Sequence, residues 1–280
     1  MDFDEIRKLT ITALFSDDEL YEQIVLKGGN AISLVYGYGS RGSLDLDFSI
    51  ERDFPELEDT RRRIFRALRQ RFASAGLVVF DEQFTSKPSV SRQDRWGGYE
   101  LTFKLIEAAR HAEMQADPDR LRRNAIVVAP DQQRVFRVQV SKFEYCAGKR
   151  EAELEAYSIY VYTPSMIAIE KLRAICQQMP QYLLRKHPQP RARDFYDIHA
   201  VITNAPVRLA DPENLELARQ IFLAKEVPAR LIARISEHRE FHRPDWPSVM
   251  ASVATRLEEF DFYLDFVVAE SSVLQPLWVE

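Results

Sequence analysis

The spacing of apolar residues changes along the chain, and the changes mark its elements. Between residues 3 and 15, Phe3, Ile6, Leu9 or Thr10, and Ala13 or Leu14 recur every three or four positions, which predicts a helix with one buried face. Ile24, Val25 and Leu26 form a short apolar strand that stops at Gly28-Gly29. Residues 30–36 have room for about two helical turns before Gly37 and Gly39. Then Leu44, Leu46, Phe48 and Ile50 alternate with Asp45, Asp47 and Ser49. A period of two predicts a strand with one buried face and one acidic face.

Residues 56–73 return to helical spacing, with Ile64, Phe65, Leu68 and Phe72 as the apolar stripe and arginines around it. Strands are predicted over 77–84 and 99–106, separated by a polar loop, and again over 135–140; residues 117–123 suit a short helix or turn. The pattern changes after Tyr157–Val161. Thr163-Pro164 is a helix start, because threonine caps and proline is tolerated in the first turn. Its helix carries Ala168, Leu172, Ile175 and Met179 on one face and stops before Pro180. Residues 192–203, 212–225, 228–240 and 245–268 all have helical periodicity. The prediction is an α/β (α+β) protein: an N-terminal domain with a mixed sheet over 1–155, and a helical domain over 156–280.

Composition narrows the class. Hydrophobic residues make up 46% of the 280 and charged residues 29%, as in ordinary globular proteins. A net charge of −5 argues against a globally basic nucleic-acid binder, while leaving local basic patches open. Cys146 and Cys176 are the only cysteines and form no zinc-like spacing, which fits a reducing, cytoplasmic compartment. The acidic start Met1-Asp2-Phe3-Asp4-Glu5 does not resemble a signal peptide, and no apolar run approaches the ~18 residues of a membrane span.

Asp45 and Asp47 leave the same strand face with backbones roughly 6.6 Å apart, so both carboxylates can close on one metal site. Hard oxygen ligands suit Mg²⁺ (or Mn²⁺), which takes one or two carboxylates together with substrate phosphates. Gly28 and Gly29 let the backbone approach a phosphate, and the N–H groups of the helix after them, from Asn30 onward, can bind it. Arg41 and Ser43 stand just before the two acids, where they can hold phosphate oxygens. Alone, an Asp-x-Asp strand is usually a solvated face and a Gly-Gly pair a turn. Together, within twenty residues, they point to a site for a nucleoside triphosphate and a metal.

Lys27-Gly28-Gly29-x-Ala31 followed by Arg41-x-Ser43-x-Asp45-Leu46-Asp47-Phe48 resembles the first two motifs of the AbiEii/MenT-type nucleotidyltransferases, members of the DNA polymerase β-like superfamily. Two later motifs of that family also occur in order: Glu170-Lys171-Leu172-Arg173-Ala174, and Arg191-Ala192-Arg193-Asp194-Phe195-Tyr196-Asp197. The resemblance implies a toxin of a toxin–antitoxin pair, with an antitoxin partner. It implies transfer of NMP from NTP to an RNA acceptor, the tRNA 3′ end. It also implies that Lys171 and Asp194 are essential beside Asp45 and Asp47. Lys171 can neutralise the leaving group, and Asp194 can hold that lysine or act on the nucleophile. For Asp197 both a site role and helix-dipole complementation stay open.

The basic loop ahead of Asp194, with Arg185, Lys186, Arg191 and Arg193, is a candidate RNA or triphosphate contact. The arginines of 56–73 read first as a solvated face, with RNA-backbone binding as the lesser alternative. Two positions depart from the family pattern. Asn30 stands where a serine or threonine is usual, and Gln139 stands where a third metal-binding acid is expected, with Glu100 and Glu144 as the other acids to consider. The alternatives are nucleotide transfer to a protein side chain, and nucleotide or RNA binding without catalysis.

Overall fold

The computed structural model describes residues 2–38, 45–88, 96–128, 132–253 and 255–278. The chain divides into two compact units. The first comprises Met1–Leu26, Leu44–Phe143 and Glu151–Val161, and the second Lys27–Ser43, Glu144–Arg150 and Tyr162–Glu280.

A seven-stranded mixed sheet organises the first unit. Its strands are β1 (Val25–Lys27), β2 (Leu46–Ser49), β3 (Leu77–Lys87), β4 (Gly98–Glu107), β5 (Phe136–Ser141), β6 (Arg150–Leu154) and β7 (Tyr157–Val161), in the order β3-β4-β5-β2-β1-β7-β6. β1 runs parallel to β7 and β2 parallel to β5, whereas β3/β4 and β4/β5 are antiparallel. The alternation seen in the sequence sets the faces: Leu46, Phe48, Leu101 and Val138 are almost wholly buried. The helices Phe3–Phe15 and Leu57–Ala73 pack together in this unit, the first against β7 and the second against β3, and Phe72, Phe103 and Phe136 form an aromatic row in its core. Gly98 opens β4 where only glycine fits, since a Cβ there would lie 2.0 Å from the Val140 carbonyl oxygen.

The sequence does not announce β6. It is an edge strand whose Arg-Glu-Ala-Glu-Leu pattern lacks a clean apolar face, so its pairing comes from its neighbour. The short helices Asp18–Gln23 and Ala108–Met114 escape the sequence pattern for a similar reason, each burying a single residue.

Among the described residues the second unit is mainly helical. Pro164–Cys176 starts as its sequence dictates, with the Thr163 hydroxyl accepting the Met166 N–H at 3.3 Å and Pro164 in the first turn. Its expected one-sided stripe is a correction: from Met166 to Cys176 every residue except Glu170 is buried. The helix lies against the helices Ala192–Asn204 and Pro212–Ala224 and the segment Ala229–His238, so little of its circumference remains for solvent. Two helices read from periodicity also differ. Ala229–His238 is 3-10 helical, and the stretch read as 245–268 is broken into Trp246–Met250 and Phe260–Ser271. Arg243 binds Asp261 at 2.9 Å and Arg239 binds Asp265, which fixes the start of the second helix independently of the first. No helix among the described residues is long and apolar enough to cross a membrane.

Candidate active site

The glycine segment belongs to the second unit. Lys27 is extended, Gly28 turns with φ +73°, and the chain then enters a short turn, Gly28–Asn30, that runs into a π-helical turn, Ala31–Val35. The positive φ at Gly28 explains the glycine, because a side chain there would be strained. Single π turns recur at functional sites. The segment is tied to the start of the Pro164–Cys176 helix: the Tyr36 hydroxyl donates to the Tyr162 carbonyl at 2.7 Å, and Arg150 covers the Tyr36 ring at 4.6 Å. Asn30 is fully buried.

Directly before the glycines, Lys27 enters a buried ionic cluster that sequence reasoning missed. Its Nζ lies 3.5 Å from Glu144 Oε1 and 3.7 Å from Glu170 Oε1. Arg173 reaches Glu144 at 3.1 Å and Glu170 at 2.9 Å, and Lys225 lies 3.6 Å from Glu144. Gln177 accepts from Arg173 at 3.0 Å, and the Tyr182 hydroxyl donates to the Lys225 carbonyl at 2.8 Å. Burial pushes the Glu144 carboxyl up, but Arg173, Lys27 and Lys225 outweigh it and hold the group at about 2. Burial, with Arg173 and Lys27, lowers the Lys225 pKa against the pull of Glu144. The Lys-Gly-Gly spacing was a signal for Lys27. Nothing in sequence marks Glu144 or Lys225 as its neighbours, since they are more than a hundred residues away.

One residue along the helix from Glu170, Lys171 is held between two carboxylates. Its Nζ is 3.1 Å from Asp194 Oδ1 and 2.7 Å from Asp197 Oδ2, and all three residues are buried. The three-residue spacing of the aspartates puts both on one face of Ala192–Asn204. Arg191 forms an ion pair with the other oxygen of Asp194, and its backbone N–H donates to His242 Nδ1 at 3.0 Å. Burial raises the Asp194 carboxyl, but Arg191 and Lys171 hold it well below the usual carboxylate range. His242 is completely buried, and burial lowers its pKa to about 4, so it is a neutral acceptor here.

Asp45 and Asp47 are in the first unit, at the entrance to β2 and within it, both half-buried. Register places Gln139 opposite Asp47, and Glu100 opposite Gln139, so these three side chains form a row on one sheet face. Glu100 is paired to Lys87 at 3.1 Å, and Glu144 is committed to its three cations. No group of three His, Cys, Asp or Glu suited to a metal forms among the described residues. Asp45 just before β2 and Asp47 within it are nonetheless hard oxygen donors of the kind that suits Mg²⁺, which would need further oxygens from elsewhere.

Of the other expected site residues, Arg41 and Ser43 lie outside the described residues. In the basic loop Arg191 is bound to Asp194, Arg185 is half-buried, and Lys186 and Arg193 are exposed. The arginines of Leu57–Ala73 do form a surface laced with acids: Arg61 pairs with Glu58, Arg62 with Asp59, Arg63 and Arg66 with Asp17, and Arg69 with Glu82.

Known structures align along most of this chain. One is the crystal structure of JHP933 from Helicobacter pylori, 17% identical, covering 98% of this chain and 91% of that one at a TM-score of 0.47. A second H. pylori protein is 15% identical, with 98% and 94% covered and a TM-score of 0.49. An antigenic nucleotidyltransferase-like protein from Paracoccidioides brasiliensis is 16% identical, with 89% and 95% covered and a TM-score of 0.36. None of the curated proteins compared matches the sequence. Family membership rests on the sequence profile, where residues 11–266 match the nucleotidyl transferase AbiEii toxin of Type IV toxin–antitoxin systems. The chain therefore belongs to the AbiEii nucleotidyltransferase toxin family.

Proposed function

We propose that this nucleotidyltransferase transfers NMP from an NTP to an RNA acceptor, the 3′ end of tRNA, releasing pyrophosphate. The observation that carries the reading is the joined frame around Lys171. Glu170 holds Lys27 at the glycine turn, while the next residue, Lys171, is fixed by Asp194 and Asp197. A triphosphate-binding turn and a cation for the leaving group are thereby mounted on one helix.

The acceptor 3′ hydroxyl attacks the α-phosphorus, forming a P–O bond as the bond to the β-phosphate breaks and pyrophosphate leaves. Gly28 and Gly29 admit the phosphates to backbone N–H groups. Lys171 would neutralise the charge that grows on the leaving group, and its two aspartates hold it in place. Asp45 and Asp47 would hold Mg²⁺ (or Mn²⁺), which supplies charge neutralisation and a more acidic attacking hydroxyl. Exposed Lys186 and Arg193 are available to the RNA backbone, and an antitoxin protein is the regulatory partner expected of a family toxin.

Incubation with labelled NTPs, Mg²⁺ and total tRNA, resolved on gels, tests this. Labelled RNA is expected, and its loss in Asp45→Ala. Labelled protein in place of RNA would instead establish transfer to a protein side chain. Gln139 beside Asp47 favours one further reading, nucleotide binding without transfer, for which NTP binding with no pyrophosphate under any metal is the signature.

A further inference from the structure

A cavity of about 300 Å³ in the first unit is lined by Arg110, Arg123 and Arg134, with Glu107 as its one acid. It lies beside the helices Ala108–Met114 and Pro118–Arg123, at the approach to β5. Arg110 is 3.4 Å from Glu107, and Arg134 donates to the Ala125 carbonyl. Neither Arg123 nor Arg134 has a carboxylate within ion-pairing distance among the described residues. Arg122, the residue before Arg123, contrasts with them: it does not line the cavity and binds Asp81 at 2.8 Å and Asp119 at 3.4 Å. Of this helix's arginines, Arg123 is the one that lines the cavity, and there it stands with Arg110 and Arg134.

The cavity's place in the sheet suggests what it receives. β4 ends at Glu107 and β5 begins at Phe136, so the cavity lies at the end of the sheet where β5 starts. β2 runs parallel beside β5 with Leu46 opposite Val138, which puts Asp45 at that same end. Arg134 precedes the position opposite Asp45 by three residues, roughly 10 Å along the strand direction.

We propose that the cavity binds a backbone phosphate of the RNA acceptor, a short way back from the 3′ end that reacts at Asp45. The inference rests on the RNA-transfer reading above. Guanidinium forks match phosphate oxygens in pairs, and three of them around a small polar cavity suit one phosphodiester better than a protein segment, which needs a larger apolar footprint.

The test compares wild type with Arg110→Ala/Arg123→Ala, the single variant Arg123→Lys, and the control Arg62→Ala on the acid-paired arginine helix. tRNA binding is followed by anisotropy at several salt concentrations, with labelling kinetics for RNA and NTP measured separately. The double variant should bind tRNA about 10-fold more weakly, with a salt slope shallower by about 1 to 2 and an unchanged KM for NTP. Arg123→Lys should keep the slope, and Arg62→Ala should match wild type. Binding and labelling by the double variant that equal wild type, where wild type does label RNA, overturn the cavity assignment alone. Intact RNA binding with lost antitoxin neutralisation also overturns it, in favour of an acidic protein. Wild type that neither binds nor labels RNA overturns the underlying reading, and the cavity assignment with it.

Discussion

Replacing Glu144 by glutamine keeps the shape of the side chain and removes one buried negative charge from among Arg173, Lys27 and Lys225. The carboxyl has an ordinary value of 4.5 and is held at about 2 in the folded chain, which corresponds to about 3 kcal/mol of stability at neutral pH. Because the folded value is depressed, that contribution is complete above pH 4.5 and drains away as pH falls from 4.5 towards 2. In Glu144→Gln, Arg173, Lys27 and Lys225 lose the carboxylate they share, and breaking a buried pair in this way costs ~3–5 kcal/mol. Lys225, whose pKa is already lowered, can shed its proton and relieve part of the strain, so the lower end is expected.

Urea unfolding at neutral pH, followed by tryptophan fluorescence, measures the loss without the ionic screening that guanidinium brings. Trp246 and Trp278 report on the second unit. Adding Lys225→Met to Glu144→Gln should recover at least ~1 kcal/mol, since it removes a buried cation that has lost the Glu144 carboxylate. A Glu144→Gln protein within ~1 kcal/mol of wild type would refute the reasoning. So would one whose stability declines below pH 4.5 as steeply as before.

Three further outcomes are expected. Lys171→Met should reduce the RNA-labelling rate by ~10²–10³, and Asp197→Asn, which leaves Asp194 in place, by ~10-fold with little change in KM; equal effects from both would deny Lys171 its separate role. His242, ordinarily titrating at 6.5 and lowered to about 4, should leave stability undiminished above pH 6.5 and cost up to about 3 kcal/mol as pH falls from 6.5 to 4. His242→Phe should abolish that acid-side decline, as urea unfolding at stepped pH would show. Gln139→Glu places a third carboxylate beside Asp47 and should lower the Mg²⁺ concentration for half-maximal activity several-fold; an unchanged metal dependence means Gln139 does not face the metal.

The sequence made local features legible and left long-range pairing hidden. The alternation around Asp45 and Asp47 placed a strand with Leu46 and Phe48 buried, because a two-residue period has only one reading when the apolar positions are this regular. Thr163-Pro164 marked its helix start for the same kind of reason, a cap that acts within one turn. The helix over 245–268 failed because periodicity does not register the ion pairs of Asp261 that begin a new helix. Asp194 and Asp197 could be placed on one face from their spacing, but that both would close on Lys171 required the fold. Glu100 and Glu144, equal candidates in sequence for a third acid, separate at once in the structure. One sits two strands from Asp47 and the other is enclosed by cations.

The buried charges themselves argue for position over stability. Lys27, Glu144, Lys171, Arg173, Asp194, Asp197 and Lys225 are all removed from solvent within the second unit. Well-packed apolar residues of similar volume would serve stability as well or better, because desolvating each ion costs several kcal/mol before its partners compensate. What apolar residues cannot do is hold a cation at a fixed place. Glu170 and Lys171 are consecutive, one tied to the residue before Gly28 and the other to the two aspartates. A shift of the Pro164–Cys176 helix would disturb both sets of ion pairs together. On the proposed reading, that shared helix is why a weak Lys-Gly-Gly turn and an ordinary-looking lysine, far apart in sequence, act on one triphosphate.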